Sequence, residues 1–131
     1  MTQEEKSLLF KDLCTRLPYH VHVKVWLKDG TTEEGMLDLK HNYGDVLRDA
    51  FFYKKIIDIK PYLRPMESMT DKECNRYDVL VEELSLRPGI ESASNLTDWL
   101  NANHFDFRGL IPMNLALPAK EGMYNIEQKG E

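Results

Sequence analysis

The sequence predicts an α+β domain: an N-terminal helix, a small bent antiparallel sheet and two C-terminal helices that run into an irregular C-terminal segment. Three observations predict it. Apolar residues recur at helical spacing from Leu9 to Leu17, the period changes to two from His20 onward, and helical spacing returns after Thr70. A chain of 131 residues has the size of one domain and buries roughly two-thirds of the surface it exposes when unfolded. We therefore expect a single domain over 1–131. It divides into a helix over 1–17, an antiparallel β meander over 20–60, a helical part over 70–112 and a flexible tail over about 125–131.

The first helix opens at Thr2, followed three residues later by Glu5. In this capping box the hydroxyl accepts from a free amide of the first turn while the carboxylate reaches back to the cap. Leu9, Phe10, Leu13, Cys14 and Leu17 make the apolar face, with Lys6, Lys11, Asp12 and Arg16 assigned to the solvated side. Pro18 ends the helix, because the residue before a proline avoids the α region. Val21, Val23, Val25 and Leu27 then point one way and His20, His22, Lys24, Trp26 and Lys28 the other. Asp29-Gly30 signals a type I′ hairpin turn, whose two central positions both need positive φ. The returning strand covers Thr31 to Lys40, with Leu37 and Leu39 inward and Gly35 marking a bulge or bend.

His41 to Asp45 reads as a second turn. Val46-Leu47, Phe51 to Tyr53 and Ile56 to Ile59 supply one or two more strands, for three to five in all. A bent sheet of this size can curl into an SH3-like barrel. Pro61 and Pro65 end the sheet and hold Lys60 to Met66 extended. Thr70 and Glu73 form a second capping box, and Cys74, Tyr77, Leu80, Val81 and Leu84 follow at helical spacing over about 71–84. Arg87-Pro88-Gly89 breaks this helix, and Ser94 or Asn95 caps a third carrying Leu96, Trp99, Leu100 and Asn103. Gly109 and Pro112 impose irregular backbone, and the tail is expected to fray after Tyr124.

The net charge of −5 and the lack of any Lys/Arg run disfavour nucleic acid, whose phosphates repel an acidic surface, and an anionic membrane alike. No apolar stretch approaches the about 20 residues of a membrane span. Residues 1–6 are polar and acidic, unlike a signal or transit peptide, so the expected location is the cytoplasm. There Cys14 and Cys74 are expected as small buried hydrophobes rather than as a disulfide.

Four constellations could carry function. His104-Phe105-Asp106-Phe107-Arg108-Gly109 offers His104 as a general base oriented by Asp106 or Asp98, with Arg108 for an anionic group. Its structural alternative ends a helix at His104, buries both phenylalanines, pairs Asp106 with Arg108 and turns at Gly109. His20 and His22, two apart on a strand, have one spacing that chelates zinc, but no third ligand stands at a diagnostic distance. Lys54, Lys55 and Lys60 are interleaved with aromatic residues, a pattern that can grip a single nucleic-acid strand but more often marks a core strand with a solvated face. Trp26, on the polar face, is either an interface anchor or is covered by a helix. The chain contains no phosphate-binding glycine loop, Cys-x-x-Cys pair, Gly-x-Ser-x-Gly elbow or His-Glu-x-x-His, and no cofactor is expected.

Several strings carry a family resemblance: Leu17-Pro18-Tyr19, Lys60 to Met66 followed by Ser68-Met69-Thr70, Asp98 to Asn101, His104 to Ile111, Leu115-Ala116-Leu117 and Glu121 to Tyr124. In these the chain resembles a family of small proteins, without assigned activity, from Bacteroides-type gut bacteria and their prophages. The match spans residues 17–124 but is poor from Val23 to Tyr53. It implies a compact, often phage-related accessory protein and transfers no catalytic residue. The leading expectation is a non-enzymatic protein-binding or assembly module, with a protein partner or a second copy of the chain, acting through Trp26, His104, Asp106 and Arg108. The alternatives are a small enzyme or metal-binding protein using His104 with Asp106 or His20 with His22, and, less favoured, a nucleic-acid-binding module.

Overall fold

The computed structural model describes residues 2–37 and 56–124. Helix α1 spans Gln3–Arg16 and opens on the expected box: Thr2 Oγ1 accepts from the Glu5 amide at 3.1 Å and Glu5 Oε1 from the Thr2 amide at 2.9 Å. A 3-10 turn, Leu17–Tyr19, carries the proline. Strands β1, Val21–Leu27, and β2, Thr32–Leu37, form a hairpin. Strand β3 spans Ile56–Leu63, helix α2 Asp71–Leu86, helix α3 Ile90–Ala102, and β4 Leu117–Pro118.

The architecture is α+β. Among the described residues the sheet has the order β2-β1-β3-β4 and is open, not closed into a barrel. The pairings β1–β2 and β1–β3 are antiparallel, whereas the short β4 joins β3 in parallel. Strand β3 thus lies beside β1 rather than next to β2. The candidate strands between Val46 and Tyr53, along with Leu39, Lys40 and the 41–45 turn, fall outside the described residues, as does the tail over 125–131.

Several local expectations are corrected. Asp29 does not have positive φ; the hairpin closes through a three-residue loop with Gly30 at φ 89°, and Asp29 Oδ1 instead accepts from the Thr31 amide at 2.9 Å. Gly35 stays in register opposite Val23, so it makes no bulge. The bulge lies in the β1–β3 ladder, where Trp26 faces Asp58 and Leu27 faces Ile56, leaving Ile57 as the extra residue, 65% exposed. Pro61 does not end the sheet. It is the last β3 residue paired with β1, opposite Val23, and the next residues, Tyr62 and Leu63, pair with β4. A missing amide is tolerated where one ladder hands over to another. Helix α2 has its capping box as expected, but α3 starts at Ile90 with Gly89 as its cap, well before Ser94. The helical part ends at Ala102, and 103–112 is irregular.

One apolar core fills the space between α1 and the sheet. Leu9, Leu13 and Leu17 from α1 meet Val21, Val23 and Val25 from β1, Ile59 and Leu63 from β3, and Leu110, Leu115 and Ala116 from the irregular segment. The inward set of β1 is therefore the one its alternation predicts. The α2–α3 hairpin packs its own layer, with Tyr77 and Trp99 rings 6.4 Å apart and Trp99 and Phe105 rings 5.6 Å apart. Cys14 and Cys74 are free thiols, the first half-buried and the second exposed rather than buried.

Candidate functional site

The residues with most chemistry in the sequence gather around 104–111, and each is committed to holding the chain together. Helix α3 ends when Asn103 caps it and His104 turns left-handed at φ 59°. That reversal sends Phe105 alongside β3. The Arg64 amide donates to the His104 carbonyl at 2.7 Å, and the Asp106 amide to the Arg64 carbonyl at 2.9 Å. The expectation that His104 closes a helix end therefore holds.

The His104 ring is 1% exposed. Its Nε2 lies 2.8 Å from the Tyr19 carbonyl, which can only accept, so Nε2 carries a proton. The ring stacks on Tyr124 at 4.2 Å. The Tyr124 hydroxyl donates to the Tyr62 carbonyl at 2.7 Å and accepts from the His22 amide at 2.9 Å. Burial pushes the Tyr124 phenol well above its ordinary pKa, the His22 hydrogen bond opposing this only in part, so it stays a donor.

Asp106 does not pair with Arg108. Its Oδ1 accepts from the Leu110 amide at 2.7 Å and its Oδ2 from the Ile111 amide at 2.9 Å, bracing the turn that Gly109 makes at φ 76°. Arg108 reaches α1 instead, where Nη1 meets Asp12 Oδ1 at 2.7 Å and the guanidinium lies 4.3 Å from the Phe107 ring centre. Phe105 is fully buried as expected, whereas Phe107 is half-buried.

Asp12 and Arg16, assigned to the solvated face of α1, are both 0% exposed. Arg16 Nε and Nη2 clasp the two Asp12 oxygens at 2.9 and 3.0 Å, and Nη2 also donates to the Phe105 carbonyl at 2.7 Å. A second buried pair joins β3 to α2: Arg64 Nη1 and Nη2 bond Glu73 at 2.9 and 2.6 Å, and Nη1 lies 3.3 Å from the Asn103 carbonyl. Burial raises the Glu73 pKa, but hydrogen bonds from Arg64 and the Thr70 amide outweigh it and the net shift is downward. This seam of buried, paired charges is hidden in the sequence because charged residue types ordinarily mark the surface. Positions 9, 12, 13 and 16 do share one helical stripe, but a pair four apart fits a solvated face equally well, so spacing alone does not separate the two.

The zinc pairing is corrected too. His20 has φ 57° and precedes β1, so it does not sit two apart from His22 on a strand. His22 is half-buried, edge-on to the Tyr124 ring at 5.1 Å, and burial lowers its pKa against a smaller upward pull from Glu34. No three His, Cys, Asp or Glu residues are placed to hold a metal among the described residues. Asp98 is exposed, whereas His104 is buried. His41, Lys54 and Lys55 lie outside the described residues.

What stays outward is the far face of the sheet. Its residues alternate with the core set: His22, Lys24 and Trp26 on β1, Thr32, Glu34 and Met36 on β2, Asp58, Lys60 and Tyr62 on β3. The chain after β4 crosses one end of this face. Lys120 Nζ reaches Glu34 Oε1 at 3.0 Å, Tyr62 donates to Glu34 Oε2 at 2.9 Å, and Tyr124 lies against His22. Hydrogen bonds from Lys120 and Tyr62 hold the Glu34 carboxyl below its usual range. At the other end Trp26 is half-buried, with Lys24 Nζ and Lys60 Nζ 5.4 and 5.5 Å from its ring centre. No described helix is long and apolar enough to cross a membrane. Compared with known proteins, the chain matches no family model, no curated protein and no solved structure.

Proposed function

We propose that this protein is a non-enzymatic binding module that engages a protein partner through the outer sheet face centred on Trp26. One observation carries this reading: the single tryptophan of the sheet stands on its polar face, partly open, while among the described residues His104, Asp106 and Arg108 are spent on internal bonds. A half-open indole on a rigid sheet can bury large apolar area on contact with little loss of side-chain freedom. The enzyme reading asked for His104 and Asp106 to meet in a cleft; His104 bonds a carbonyl and Asp106 caps two amides instead. The resemblance to prophage-borne proteins supports an accessory role, which we place in the cytoplasm.

The test compares wild type with Trp26→Ala and Trp26→Phe in quantitative partner recovery from a native host, with thermal melts as folding controls. Recovery is expected to fall at least about tenfold for Trp26→Ala and less for Trp26→Phe, in line with the loss of an aromatic anchor. Unchanged recovery by a folded Trp26→Ala protein contradicts the reading.

A second reading, self-association, is favoured by the corner between α2 and α3. There Leu86 is 72% and Ile90 87% exposed, beside a depression of about 410 Å³ lined by Glu83, Arg87 and Asn95. Light scattering that shows a dimer in wild type and a monomer in Leu86→Lys/Ile90→Lys would establish it.

A further inference from the structure

We infer that Lys24, Lys60, Trp26 and Asn114 form a binding site for a carboxylate side chain of an acidic peptide segment, an assignment that rests on the outer face being the docking surface. Lys24 and Lys60 stand directly opposite each other in the β1–β3 register. Like charges in that position repel, and a sheet bears them only where something offsets the cost. In a chain with 22 acidic and 17 basic residues a carboxylate partner would be easy to supply. Glu34 faces Lys24 in the β1–β2 register, yet among the described residues neither lysine forms an ion pair.

The two carboxylates on the same face are engaged elsewhere. Glu34 senses the charge of Lys24, but its oxygens are held by Lys120 at 3.0 Å and Tyr62 at 2.9 Å. Asp58, opposite Trp26, folds back to accept from the Ile59 amide at 2.9 Å. Both ammonium groups are instead drawn over one indole, whose negative face offsets their repulsion only in part. Lys60 Nζ also donates to Asn114 Oδ1 at 3.1 Å. Since an ammonium only donates, the Asn114 oxygen is the atom facing it, which leaves the amide NH₂ of Asn114 as a third donor at the rim. Asn114 sits at φ 61°, a left-handed position that asparagine adopts more readily than most residues.

Two ammonium groups and an amide beside an aromatic plate suit one compact anion carried next to an apolar group. They do not suit a nucleic-acid strand, which needs a continuous cationic track. Here the next positions along the face are Glu34 and Asp58, whose charges would repel neighbouring phosphates. Lysines bind such an anion as point charges, without the planar fork by which arginine grips carboxylate and phosphate alike.

The experiment measures fluorescence anisotropy of a labelled decapeptide, two Glu and one Leu among Ser and Gly, against the full chain in low salt. The Gln version of the peptide and a ten-nucleotide single-stranded DNA serve as competing probes. The result expected is saturable binding that weakens as salt rises, and about tenfold or more on Lys24→Gln/Lys60→Gln or on changing the peptide's Glu to Gln. Lys24→Arg/Lys60→Arg is expected to retain most of it. Absent binding, equal binding by the Gln peptide or the Lys24→Gln/Lys60→Gln protein, or tighter binding of the DNA would each overturn the assignment. Partner recovery separates it from the broader reading. If Trp26→Ala loses the partner while Lys24→Gln/Lys60→Gln keeps it, the carboxylate site falls and the docking face stands; if neither change matters, both fall.

Discussion

Two regions of this protein use the same charged side chains to opposite ends. Inside, Asp12, Arg16, Arg108, Arg64 and Glu73 make bidentate or shared pairs that tie α1, β3 and α2 to the 104–111 segment. On the outer face Lys24 and Lys60 oppose each other with no ion pair among the described residues. A buried charge without a partner costs several kcal/mol, so each inner arginine has to find a carboxylate before the fold is viable. A half-buried like-charged pair, its repulsion partly offset by an indole, costs less and can be left for a ligand. Residue type alone therefore does not separate a site from a strut. Whether the group's partner is internal does.

The contrast can be broken most forcefully at Asp12. Asp12→Ala strands Arg16 and Arg108, and we expect a loss of about 3–5 kcal/mol in urea unfolding; a loss under about 1 kcal/mol would mean the seam is not a strut. Glu73→Gln removes one charge from the second pair and is expected to cost about 1.5–3 kcal/mol at neutral pH. Because the folded pKa of Glu73 lies below its ordinary 4.5, its contribution is present above that value and is lost as pH falls through the folded pKa. The gap between wild type and Glu73→Gln should thus close in acid, which unfolding midpoints over pH 2–7 would record (roughly the carboxylate range).

Smaller effects follow at the joint between the two regions. Tyr124→Phe leaves the Tyr62 carbonyl and the His22 amide without their shared partner, for an expected loss of about 1–2 kcal/mol by denaturant titration. The smallest change belongs to the outer face. Lys60→Gln relieves a cross-strand repulsion and should leave stability within about 0.5 kcal/mol of wild type, on either side. A large loss there would place Lys60 among the struts and blur the comparison.

The sequence carried the elements whose signal is local. Thr2 with Glu5 and Thr70 with Glu73 start helices through hydrogen bonds three residues apart, and the alternation from Val21 to Leu27 needs only one buried face. It did not carry partnerships that form across the fold. Asp12 and Arg16, four apart on a helix, have the spacing of an ordinary surface pair, and only Phe105 and Arg108, some ninety residues on, make them interior. A proline lacks a donor and so reads as a stop, yet the place of Pro61 at the handover from β1 to β4 does not require one. Asp106 and Arg108 are adjacent enough to suggest a pair, but each finds better-placed backbone or charge elsewhere. Trp26 stands on the polar face that the alternation of β1 predicts; its two lysine neighbours depend on the β1–β3 register, which no local pattern sets.

The most direct measurement is a ¹⁵N–¹H NMR titration of the full chain with the Glu-containing decapeptide. If the inner charges are struts and the outer ones a site, amide shifts should concentrate in β1 and β3 around Lys24, Trp26 and Lys60, with His104 to Ile111 unmoved. Shifts centred on His104 to Ile111, with the Trp26 indole signal unchanged, would contradict that division.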